Sequence, residues 1–128
     1  MLGILGSILL GAALGAIVGM IINFVVLGIR NLLDRIKTHN KGTVAEANAK
    51  NLLAEVMEIE HKKNNSKNIV KLNELEKLLG DNSVVEAHID AAGKVNPDDV
   101  HILKAEKMEE PLRKLFDEHG GLLEIECA

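Results

Sequence analysis

The pattern of apolar and polar positions changes character once, at Arg30. Before it, residues 1–29 hold no charged side chain, and Ser7 and Asn23 are their only polar ones. After it, apolar residues recur at short periods among charges. As one helix, the uncharged stretch reaches roughly 42 Å at 1.5 Å per residue, more than the ~30 Å hydrocarbon core of a bilayer. One tilted span fits that length and two do not. The expectation is a single transmembrane helix over 1–29.

Small residues recur at every fourth position of this stretch: Gly3, Ser7, Gly11, Gly15 and Gly19, with Asn23 continuing the row. On a helix that spacing lays them along one ridge, where a second backbone can approach closely. Ala12, Ala13 and Ala16 leave a second side open as well. A helix that accepts neighbours on two sides builds rings or filaments. Membrane lipid and further copies of the chain are therefore the first expected partners.

Charge orients the helix. Arg30, Arg35, Lys37 and Lys41 stand against Asp34 alone between residues 30 and 43, a basic collar where the apolar run ends. Such collars lie on the cytoplasmic side, beside anionic lipid. The expected placement is single-pass, with the N-terminus outside and the C-terminal domain cytoplasmic. The collar segment, residues 30–42, reads as a juxtamembrane helix and linker, with Leu32, Leu33 and Ile36 on one stripe and Gly42 at its end.

Residues 43–80 read as a helical hairpin. Thr43 and Glu46 have capping-box spacing. Ala45, Ala49, Leu52, Leu53 and Val56 follow a helical period, and so do Leu72, Leu75 and Leu79 after a polar loop. Gly80 supplies the stop. Residues 81–128 form a small α+β unit in the same reading: strands over 84–90 and 99–105, a helix from Glu110 with Pro111 in its first turn, and a terminal strand, Leu122–Cys127. The expected fold is thus a membrane protein of α+β class: a glycine-rich transmembrane helix, a helical hairpin and a β-β-α-β unit. The alternative is an all-α cytosolic domain, with Ser83 and Glu86 as a second capping box and Asn96 capping another helix. The phrase EAHIDAAGKVNPDD, residues 86–99, resembles the helical tellurite-resistance-type domains, whose acidic loop joins two helices, and that resemblance implies the all-α form. It occurs in one copy, and no metal ligands are carried over from it.

Chemistry changes this picture little. The five histidines, His39, His61, His88, His101 and His119, show no metal-ligand spacing with each other or with Cys127; His88 and His101 approach only if the strands around them pair. No phosphate loop, nucleophilic triad or tuned carboxylate pair stands out, so no catalytic residue, metal or cofactor is expected, nor enzyme activity. Two Phe and no Trp or Tyr leave no stacking platform for single strands. Residues 44–128, with 11 basic against 18 acidic residues, repel a phosphate backbone. The leading expectation is a membrane-embedded homo-oligomer that forms or gates a pore under control of its cytosolic domain. The alternatives are a non-conducting membrane-anchored adaptor that self-assembles and recruits a cytosolic protein, and a membrane-tethered sensor of a small ligand.

Overall fold

The computed structural model describes residues 3–14, 21–38 and 41–127. The apolar N-terminal stretch does not form one long helix. It gives α1 (Gly3–Leu14) and then β1 (Ile21–Leu27). Twelve helical residues rise about 18 Å, well short of a bilayer core. Among the described residues no helix is long and apolar enough to cross a membrane. The expected transmembrane helix, the single-pass orientation and the membrane pore built on it are corrected accordingly.

The physical reason lies in what the two pieces pack against. Leu5 and Leu9 of α1 are buried against α3 (Ala49–Lys62) and α4 (Ser66–Leu79). The backbone of β1 is satisfied by parallel pairing with β4 (Val95–Met108), in a register running from Ile21 opposite Ile102 to Leu27 opposite Met108. An apolar run meets its needs equally well inside a protein or in lipid.

The remaining elements are α2 (Ile29–Ile36), β2 (Gly42–Asn48), β3 (Val84–Ile89), α5 (Glu110–Glu118) and β5 (Leu122–Cys127). The five strands form one sheet in the order β1-β4-β3-β2-β5. Except for β1 with β4, neighbours are antiparallel. The sheet draws strands from segments 1–29, 43–80 and 81–128, so the C-terminal strands do not make a free-standing unit. The all-α alternative, and the helices implied by the resemblance at 86–99, give way to β3, a turn and β4.

The hairpin expected over 43–80 starts later than its periodicity suggests. Residues 42–48 form a strand between β3 and β5, with Ala45 and Ala47 buried on one face and Val44 and Glu46 on the other. Pairing on both sides outweighs the Thr43–Glu46 capping box. The cap in use is Asn48, whose side chain accepts from the N–H groups of Lys50 and Asn51. Gly42 makes the entry: at φ +98°, an added Cβ would lie 2.1 Å from the carbonyl oxygen of Ile89, so only glycine fits there.

Each face of the sheet carries a core. On one, α1, α3 and α4 cover Val85, Ala87, Val100 and Ile102. On the other, α2 and α5 bring Leu32, Leu112 and Phe116 onto Leu27, Val84 and Leu103. This second face also holds Glu46, Glu86 and His101, with Arg35 of α2 over them.

Candidate functional site

Period-two alternation puts Glu46 of β2 on the α2/α5 face of the sheet, and the strand registers surround it. Glu46 stands opposite Glu86 of β3 on one side and Leu123 of β5 on the other. Glu86 in turn stands opposite His101 of β4. Cross-strand partners lie about 5 Å apart at Cβ, so two carboxyl groups and an imidazole form a row across three strands.

Helix α2 closes over this row. Arg35 donates from Nε to Glu86 Oε2 at 3.2 Å and from Nη2 to Glu86 Oε1 at 3.1 Å, the two-pronged geometry that suits a guanidinium and a carboxylate. The Glu86 side chain is 3% exposed and that of Arg35 24%. Glu46 is fully buried, and among the described residues neither of its carboxyl oxygens has an N–H or O–H donor. The neighbouring Glu86 carboxylate can satisfy it only if Glu46 carries a proton and donates it across the strand. Burial chiefly, then the hydrogen bond and the negative charge of Glu86, raise the Glu46 carboxyl well above its ordinary range, against the opposing pull of Arg35. Burial pushes Glu86 upward too. The hydrogen bond from Glu46, the bonds and charge of Arg35 and the charge of His101 outweigh it and hold Glu86 below the ordinary range. The two carboxyl groups are thus pushed in opposite directions, Glu46 toward the neutral acid and Glu86 toward the carboxylate that Arg35 pairs.

Toward the surface the row continues through Asp99. Its carboxylate lies 3.2 Å from His101 Nε2 and 3.4 Å from His88 Nδ1. His88 Nε2 donates to the carbonyl of Lys41 at 2.7 Å. Strand pairing thus brings His88 and His101 to one carboxylate. Among the described residues no group of three or more His, Cys, Asp or Glu side chains is arranged to hold a metal ion.

The residues singled out from sequence are dispersed. Gly3 opens α1; Ser7 and Gly11 are exposed on it, and a Cβ at Gly11 would meet nothing within 4 Å. Gly6, which is not in the row, lies close to a neighbouring helix instead, 3.4 Å from Val56 at the Cβ position. Gly15 and Gly19 lie outside the described residues. Asn23 stands in β1 opposite Lys104. Of the collar, Arg30 is exposed, Lys37 lies 3.7 Å from Asp34 on the surface, and Lys41 lends its carbonyl to His88. Arg35 alone turns inward, where it neutralises Glu86 rather than facing lipid.

Sequence reasoning did not single out Glu46 and Glu86 as partners. Their signal was one carboxylate in the middle of each apolar strand, TVAEANA and VVEAHI, both of which also fit helix caps. A groove of about 720 Å³ lies beside α5 and β5, with Leu115, Leu123 and Ile125 in its wall. Leu123 is the cross-strand partner of Glu46, but the buried carboxyl does not reach the groove. Comparison of the chain with known protein families, curated proteins and solved structures finds no match.

Proposed function

We propose that the protein is a non-catalytic adaptor that works as a homodimer, two copies joining edge to edge through β1. The observation that carries this reading is the contrast between the two edges of the sheet. β5 bears Glu124 and Glu126, both exposed, the charged side chains with which natural edge strands discourage pairing. β1, Ile-Ile-Asn-Phe-Val-Val-Leu, bears no charge, and Val25 and Val26 are 69% and 43% exposed. An uncharged apolar edge is a template for another strand. Antiparallel self-pairing centred on Phe24 sets Val25 against Asn23 and Val26 against Ile22, with no like charges opposed. The non-catalytic part is supported by the sealing of Glu46 and Glu86, 0% and 2% exposed, away from any substrate.

The test is sedimentation equilibrium of the full chain and of Val25→Lys. Val25 is mostly exposed, so lysine there leaves the fold intact while placing charge on the edge. The expected result is a wild-type dimer that dissociates on dilution and a variant that is monomeric with an unchanged melting temperature. A monomeric wild type, or a variant that still dimerises, contradicts the reading.

A further inference from the structure

Helix α2 is held to the sheet by Leu32, buried in the core of this face, and by the two-pronged Arg35–Glu86 contact. Beside that contact sits Glu46, a fully buried carboxyl with no donor of its own among the described residues. Among the described residues, the charged and titratable groups around the Glu46–Glu86 pair are Arg35 from α2, His88 from β3 and, beyond Glu86, His101 and Asp99 from β4. β5 opposes Glu46 with Leu123, and α5 brings Leu112 and Phe116 to the core of this face.

With one proton between them, Glu46 and Glu86 present a single negative charge to a single guanidinium. Without it, two buried carboxylates share that guanidinium, with no further donor for Glu46 among the described residues, which is strongly unfavourable. We infer that the Glu46–Glu86 proton is a latch on α2: while it is held, Arg35 stays locked on Glu86, and its loss loosens α2 from the sheet. The latch does not depend on dimerisation through β1, since every group in it belongs to one copy.

The direction with pH follows from linkage. The Glu46 carboxyl is raised by folding, so its contribution is complete in acid and is lost as pH climbs through the raised value. Glu86 is lowered, so its contribution is present above the ordinary carboxylate range and is lost only on strong acidification. Between the two, the latch is closed.

Amide hydrogen exchange of α2, expressed as protection factors to remove the intrinsic pH dependence, reads the latch directly. In the wild type, protection of the amides from Leu32 to Lys37 is expected to fall about tenfold for each pH unit above the raised Glu46 value. In Glu46→Gln, which keeps the shape and the donor without the titration, protection stays high and flat. Equal slopes in the two proteins overturn the inference. The wild type supplies a second measurement: the Glu46 side-chain carbon resonance should remain that of a protonated acid where ordinary glutamates are ionised. If it titrates in the ordinary range, there is no held proton and no latch.

Discussion

Arg35→Met should lower the stability of the protein by about 3 kcal/mol at neutral pH, near the low end of the range for removing one partner of a buried ion pair. Arg35 supplies both of the N–H groups that Glu86 receives from α2, and methionine keeps much of the stem while removing the charge. Glu86, 2% exposed, is then left ionised in the core or must take up a proton. In urea, with a slope of about 1.5 kcal/mol per molar, the loss moves the midpoint by roughly 2 M. The deficit should narrow in acid. The folded Glu86 is held below its ordinary range, so what Arg35 adds through it is present above that range and is lost as pH falls through the lowered value. Adding Glu86→Gln to Arg35→Met should recover most of the loss, because no uncompensated charge remains. A deficit that is independent of pH and untouched by the second substitution assigns the role of Arg35 to its packing alone.

Leu9→Ala is expected to cost about 3 kcal/mol, a melting-temperature drop on the order of 10 °C. Leu9 is fully buried in the core that α1 shares with α3 and α4, and truncation there opens a cavity that fixed neighbours cannot close. Gly11→Ala, two residues on, should go the other way and stabilise by about 0.5–1 kcal/mol, since alanine replaces glycine on an exposed helix face with open space around it. The two results together separate the observed fold from a glycine-ridge anchor. In an anchor, Gly11 is the contact that tolerates no Cβ and Leu9 contributes nothing to the stability of the remaining chain.

That reversal shows where the sequence was legible. The spacing of Leu52, Leu53 and Val56, and of Leu72, Leu75 and Leu79, is plainly helical, and these residues are buried in α3 and α4. Pro111 and Glu110 mark the start of α5 just as directly. Residues 1–29 mislead because an uncharged run carries no amphipathic period, and length then argues for a membrane. The signal pointing the other way was β-branching, Ile21, Ile22, Val25 and Val26. The four-residue row compounds the error, for that spacing has meaning only along one continuous helix, and Gly11 and Asn23 stand in α1 and β1.

The charged row lay beyond sequence for a different reason. Glu46, Glu86 and His101 are distant along the chain and meet only through the β2–β3 and β3–β4 registers. A one-residue slip of any strand turns its member to the other face. Nor does sequence say that Arg35, in a cluster that resembles a lipid-facing collar, is the one basic residue of the four that α2 aims inward.

The claim that bears most on function is that β1 is a pairing edge. Amide exchange along Ile21–Leu27 tests it most directly, because alternate amides of this strand point away from β4, its hydrogen-bonding neighbour among the described residues. These outward amides are expected to be protected in concentrated solution and to lose that protection on dilution, while the amides directed at β4 stay protected throughout. Outward amides that exchange at the same rate at every concentration contradict it.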